Sequence, residues 1–180
     1  MKKCLILVDF FEESFKSILR GFPEYAEERY NNLYEILSVM NDNRHYDLTH
    51  HGDISRFYGV FKQFVEKKFD ETKKYEKYYI LGISTSQCVT ELYNKINSDE
   101  KYIVKNCCLQ EYYPSNETIL NNFDHPIADN QNQLIRFEES FFNGEIKFNF
   151  YDNSPNNDGR GEWSKGDFQK LKTISSEELL

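Results

Sequence analysis

Cys88 and Asp9 are the two residues whose type and setting suit covalent chemistry. Cys88 falls near the end of Tyr79-Ile80-Leu81-Gly82-Ile83-Ser84-Thr85-Ser86-Gln87-Cys88-Val89, where an apolar strand gives way to a glycine and a cluster of hydroxyl residues. A helix is expected to open there with the thiol in its first turn. Unpaired amide donors and the positive end of the helix dipole favour an anion, so this thiol should lose its proton more readily than a buried structural one. Asp9 follows Cys4-Leu5-Ile6-Leu7-Val8, a continuously apolar run that reads as a central parallel strand buried on both faces. In an open parallel sheet, ligands bind beyond the carboxyl ends of the strands, and both residues stand at such ends. Asp9 is then placed to accept the thiol proton or hold a water, and amides near Ser86 to Cys88 to steady an oxyanion. Each residue also has a plain structural role open to it. Asp9 can cap the following turn, and Cys88 can be a small apolar group packed between helix and sheet.

The elements that must position this pair follow from periodicity. Phe11 to Leu19 reads as a short helix or loop, broken by Gly21 and Pro23. Glu24 to Met40 is an amphipathic helix with Tyr30, Leu33, Tyr34, Leu37 and Met40 on its apolar stripe. Tyr46 to His50 reads as a second strand, and Ile54 to Lys74 as a long helix with Phe57, Val60, Phe61, Phe64 and Val65 inside. Lys67, Lys68, Lys73 and Lys74, alternating with acids, form the wet side of that helix. Tyr78 to Ile83 is a strand, Ser86 to Ile96 a helix, and Tyr102 to Leu109 a further strand. This alternation predicts a three-layer, Rossmann-like α/β fold with an open, mostly parallel sheet joined by right-handed crossovers. The last third differs. Short helices are expected over Asn116 to Phe123 and Asn130 to Phe142, then an edge strand over Glu145 to Phe150 and a polar turn over Asp152 to Gly161. Trp163, Phe168 and Leu171 are expected to pack the tail back on the body. We read residues 1–180 as one domain, with an α/β core over 1–126 and a helix and edge-strand extension over 127–180.

Two segments carry a family resemblance. Leu5-Ile6-Leu7-Val8-Asp9-Phe10, followed by Phe15, resembles the opening of the isochorismatase-like cysteine hydrolases. Ile80 to Val89 resembles their nucleophile segment. The resemblance covers the first two thirds of the chain. It implies a catalytic aspartate at Asp9, a nucleophilic cysteine at Cys88 and a cis peptide near Ile83 to Thr85. It also implies a catalytic lysine after a middle strand, and no lysine here maps onto it. His50 or His51 falls in that region, and either suits acid–base work. His50 therefore joins Asp9 and Cys88 as a candidate catalytic residue. In the other alignment His51 matches a histidine found after the family's second strand, and the lysine-bearing strand is deleted.

Composition bounds the remaining possibilities. At 180 residues, with 15 Phe and 13 Tyr, the chain can build a sizeable core. A net charge of -8 opposes binding to nucleic acid and suits a small substrate or a basic protein partner. The four cysteines form neither a disulfide framework nor a zinc pattern. His45, His50, His51 and Asp53, with Asp9, are numerous enough to ligate a metal, but neighbouring histidines on a loop arise easily by chance. No metal and no cofactor are expected. No signal peptide or bilayer-length apolar run is seen, so no membrane association and a cytoplasmic location are expected. Three function classes follow: a cysteine-dependent hydrolase of a small amide or related substrate, and an inactive interaction or regulatory protein that uses its acidic surface or edge strand to meet a partner or form a homo-oligomer. The third, a nucleotide-binding regulator, lacks a glycine-rich fingerprint.

Overall fold

The structure, a computed structural model, describes residues 1–111, 131–150 and 161–180. The chain forms two compact units, one of residues 1–111 with 172–180 and one of residues 112–171. The boundary expected near residue 126, the helix expected over Asn116 to Phe123 and the turn over 152–160 lie outside the described residues.

The first unit is an α/β fold built on a six-stranded parallel sheet. Its elements are β1 (Lys3–Val8), α1 (Glu12–Gly21), α2 (Pro23–Asn41), β2 (Tyr46–His51), α3 (Gly59–Lys62), β3 (Lys67–Lys68), β4 (Tyr78–Ile83), α4 (Thr90–Lys95), β5 (Lys101–Leu109), β8 (Thr173–Ile174) and α6 (Ser176–Leu179). The strand order is β3-β2-β1-β4-β5-β8, and every neighbouring pair is parallel. β1 and β4 lie in the middle and are apolar on both faces, as a covered parallel sheet requires: Cys4 to Val8 are wholly buried. The order turns at β1 and β4, since β1 is followed in sequence by β2 on one side and β4 lies on the other. Such a switch point opens a crevice at the carboxyl ends of the strands.

Several local expectations are corrected. The break at Gly21 and Pro23 separates two helices, and proline opens the second because a first-turn residue needs no N–H. That helix buries Tyr25, Ala26, Leu33, Ile36, Leu37 and Met40, whereas Tyr34 is largely exposed. The long helix expected over Ile54 to Lys74 does not form. Its place is taken by a 3-10 turn (Ile54–Arg56), the four-residue α3 and the two-residue β3. Phe57, Phe61, Val65 and Phe69 are buried at a spacing of four, so the helical periodicity is met by tertiary contacts from an irregular path. The lysines expected on its wet side do not line a helix face: Lys67 and Lys73 turn to Asp47. The outermost strand, β8, comes from the tail, and a two-residue strand is too short to show a period.

In the second unit, α5 (Gln131–Phe142) precedes β6 (Ile146–Phe150), which pairs antiparallel with β7 (Gly161–Lys165) in a sheet of two. β6 covers the expected edge strand, but its partner is β7 rather than the large sheet. Trp163 lies opposite Phe148 in register, and the N–H groups of Phe168 and Leu171 donate to the carbonyls of Gly144 and Phe142. This stretch therefore folds on its own unit. Among the described residues no helix is long and apolar enough to cross a membrane.

Candidate active site

Asp9 and Cys88 meet at the carboxyl edge of the sheet. The last residue of β1, Val8, is in register with His51 of β2 and Gly82 of β4. Asp9 then leaves the strand with φ 41, a left-handed turn that aspartate tolerates better than most residues, while its N–H donates to the His51 carbonyl at 3.0 Å. Two glycines make room for this exit. A Cβ on Gly52 (φ 118) would stand 2.0 Å from Asp9 Oδ1, and one on Gly82 (φ 124) would stand 2.2 Å from the Val8 carbonyl oxygen. Any side chain at either position would displace Asp9 or push β1 from β4. Asp9 is the only residue from Cys4 to Phe10 that is not buried, and Cys88 the only one from Leu81 to Val89. Each breaks the surface where its neighbours are sealed.

The Cys88 thiol and the Asp9 carboxyl act on each other electrostatically. Burial pushes the thiol up to about 12, and the negative charge of Asp9 pushes the same way. The backbone of Ser84 opposes them. Burial also raises the Asp9 carboxyl above its ordinary range, against the Cys88 thiol and the positive charges of His51 and Arg56. The lowered thiol pKa expected from the helix start is thus overturned. Cys88 sits in a π turn (Thr85–Val89) ahead of a six-residue α4, so the dipole available to it is short, and its charged neighbour is an anion.

The π turn is held by a polar scaffold. Ser84 accepts at its carbonyl from the N–H groups of Gln87 (3.2 Å) and Val89 (3.1 Å), and Thr90 Oγ1 donates to the Thr85 carbonyl at 2.7 Å. Gln110 clamps the turn: its Oε1 accepts from the Ser86 N–H at 3.0 Å, and its Nε2 donates to Ser86 Oγ at 2.6 Å. The amides of Ser86 and Gln87, two of those expected to steady an oxyanion, therefore already have acceptors. The Ile83–Ser84 peptide is cis, within the span for which the family resemblance implies one. Gln110 reaches the turn because β5 is irregular: Ile80 pairs with Ile103, yet Gly82 pairs with Cys108. Extra residues bulge between these pairs. Arg29 of α2 donates to the carbonyls of Lys105 (2.6 Å) and Cys108 (2.7 Å), and Asn32 to that of Asn106 (3.0 Å).

The third expected residue lies elsewhere in the packing. His50 is buried, with Nδ1 2.6 Å from the Val65 carbonyl and its ring edge-on to Phe57. It is His51 whose charge bears on Asp9. Two groups missed by the sequence reading also belong to this edge. Arg56, stacked 4.0 Å over the Phe11 ring and bonded to Glu13 at 3.1 Å, acts on both Asp9 and Glu111. Burial raises the Glu111 carboxyl, and Asp9 and Glu13 raise it further, while Ser14 and Arg56 oppose them. Glu111 could have been found by the rule that selects Asp9, since it closely follows the carboxyl end of a strand. Arg56 could not, because its position depends on the long helix failing to form. Among the residues numerous enough to ligate a metal, His45 is exposed and Asp53 accepts from the N–H and hydroxyl of Ser55. Among the described residues, no group of three or more His, Cys, Asp or Glu is arranged to hold a metal.

No family model, no curated protein and no solved structure matches this chain.

Proposed function

We propose that the protein is a cysteine-dependent hydrolase of a small amide or related substrate, with Cys88 as nucleophile and Asp9 as proton acceptor and donor. The observation that supports this most is the meeting of Asp9 and Cys88 at a switch-point edge where both residues reach solvent and each acts on the other electrostatically. As Sγ attacks the carbonyl carbon, the S–H proton passes to Asp9 and the carbonyl π electrons move to oxygen. Collapse of the adduct breaks the C–N bond, and Asp9 returns the proton to the departing nitrogen. Water then attacks the thioester, Asp9 takes its proton, and the thiol is restored as the acid leaves. Because burial makes the thiol hold its proton tightly, transfer accompanies attack rather than preceding it. His51 and Arg56 favour the carboxylate form of Asp9 that can accept it.

The resemblance to isochorismatase-like hydrolases supports the same roles for Asp9 and Cys88, and a cytoplasmic location accords with this reading. Ammonia release from a panel of aliphatic and aromatic primary amides tests it, with mass spectrometry of quenched reactions to detect acylation of Cys88. Turnover by some panel member that disappears in Cys88→Ala supports the proposal. Turnover that survives in Cys88→Ala removes it.

One observation favours a second reading, an inactive interaction or regulatory protein: burial and the charge of Asp9 push the thiol up, to about 12. In that reading the acidic surface or β6 meets a protein partner or a second copy. Light scattering of Phe148→Glu and Phe150→Glu against the parent chain addresses it, since a strict monomer unaffected by either change would exclude a β6 contact.

A further inference from the structure

The segment that carries Cys88 is lined with buried polar groups, and one of them has no partner. Ser84, Thr85, Ser86 and Gln87 are all buried. Ser84 Oγ lies 3.3 Å from the Glu111 N–H, Ser86 is clamped by Gln110, and the Thr85 carbonyl takes the Thr90 hydroxyl. Gln87 is 7% exposed, and its Nε2 makes no hydrogen bond. An amide nitrogen with two N–H groups, withdrawn from water and unpaired, carries a desolvation cost that folding normally avoids. Such exceptions call for a reason. A leucine or methionine in this place would fill the same space without the cost.

The location supplies a reason. Gln87 directly precedes Cys88, adjacent Cα atoms are about 3.8 Å apart, and a glutamine side chain is long enough to reach an acyl group on Sγ. The attack proposed above places negative charge on the substrate oxygen, which needs a donor. The backbone amides of Ser86 and Gln87 are spent on Gln110 and Ser84. We infer that the Gln87 side-chain amide is a substrate-binding donor, reserved for the carbonyl oxygen of a ligand at Cys88. The inference rests on the hydrolase reading. It adds a specificity: the site selects compounds with a carbonyl oxygen on the attacked carbon or on the carbon next to it, because these pair the buried donor.

The test uses Cys88 itself as the reporter. Iodoacetamide carries a carbonyl oxygen beside the reacting carbon, and iodoethane has the same leaving group without it. Modification of Cys88 by each is timed by mass spectrometry in the full chain and in Gln87→Leu and Gln87→Met. The expected result is a loss on the order of tenfold with iodoacetamide, expressed as a higher half-saturation concentration. The iodoethane rate should stay unchanged and the melting temperature should be equal or higher. Equal loss with both reagents, or no loss with either, overturns the inference. Should Gln87→Leu not fold, Gln87→Met decides, being nearly isosteric and lacking the donor. The two proposals fail separately. Turnover that persists in Cys88→Ala sinks the hydrolase, whereas a reagent ratio unaltered by removing the Gln87 amide sinks only the assigned donor.

Discussion

Asp9 and Asp47 are two carboxylates at opposite ends of the same sheet, the first half-buried and the second buried, and they are treated in opposite ways. Asp47 lies on β2 in register with Cys4, near the amino end. Burial alone would raise its carboxyl. The ammonium groups of Lys73 and Lys67 (3.0 Å each), the Tyr75 hydroxyl (2.8 Å) and Lys2 (3.2 Å) overcome this and hold it far below the ordinary range. Asp9 has the reverse balance: burial prevails, its neighbour is a thiol, and the cations that act on it do so without ion pairing. A carboxylate with four donors cannot accept another proton at ordinary pH and so can only be structural. One short of donors is less stable and available for chemistry.

The largest expected effect breaks the comparison at Asp9. Asp9→Asn keeps the shape and an acceptor for the thiol but removes the base, so turnover should fall about a thousandfold. Alkylation of Cys88 should move the other way. The negative charge of Asp9 is one of the causes holding the thiol up, so its removal lowers the thiol pKa, and each unit gained is about tenfold more thiolate. Iodoacetamide kinetics at pH 8 should therefore show the variant reacting faster while it hydrolyses nothing. Slower alkylation together with lost turnover would mean that Asp9 merely shapes the site.

Alkylation against pH in the parent chain gives the next effect. Cys88, Cys4 and Cys107 are all raised, to about 12, 11 and 12, so proton affinity does not set Cys88 apart. Exposure does, since Cys88 is half-buried and the other two are fully buried. Peptide mapping should find Cys88 labelled first at every pH, at a rate that climbs tenfold per unit through pH 7 to 10. A plateau near neutrality would show a lowered thiol and contradict the burial and charge that hold it up.

The contrast also shows what was legible in the sequence. β1, β4 and the position of Cys88 were visible because a covered parallel strand is a continuous apolar run, a pattern fixed by local sequence. The Asp47 cluster was not. It joins Lys2, Asp47, Lys67, Lys73 and Tyr75, and the lysines read as solvated charges at helical spacing. Only the pairing of β3 with β2, through Thr49 with Lys67, brings them to one carboxylate. His50 and His51 were equivalent by sequence, and strand alternation separates them: one faces Phe57 and the Val65 carbonyl, while the other bears on Asp9. The thiol was misjudged for a related reason. A helix start is a local feature, but burial and the approach of Asp9 are tertiary, and they outweigh it.

Stability should divide the two carboxylates with opposite signs. Asp47→Asn leaves three ammonium groups without their anion. Since these amines are about half exposed, the cost is well under that of a fully buried pair, about 2 kcal/mol. For a domain of this size that is a fall of several degrees in melting temperature. Asp9→Asn should be neutral or stabilising, because it removes a charge that burial disfavours. A destabilised Asp9→Asn would assign Asp9 to the fold instead of the site.

The smallest effect, and the sharpest in sign, is how these differences vary with pH. Asp47 has a lowered pKa in the folded chain, so its contribution is complete above the unfolded value of about 4 and is lost progressively as pH falls toward the folded value. Asp9 has a raised pKa in the folded chain, so its penalty is absent below about 4 and grows as pH rises through the interval up to its folded value, then stays constant. Urea denaturation of the parent, Asp47→Asn and Asp9→Asn from pH 3 to 7 should give two difference curves. The Asp47 deficit should be largest at pH 7 and shrink on acidification. The Asp9 gain should also be largest at pH 7 and vanish near pH 3, with the opposite sign. Curves of the same sign would mean that both carboxylates are held by their donors, and Asp9 would then have no proton affinity to spare for a thiol.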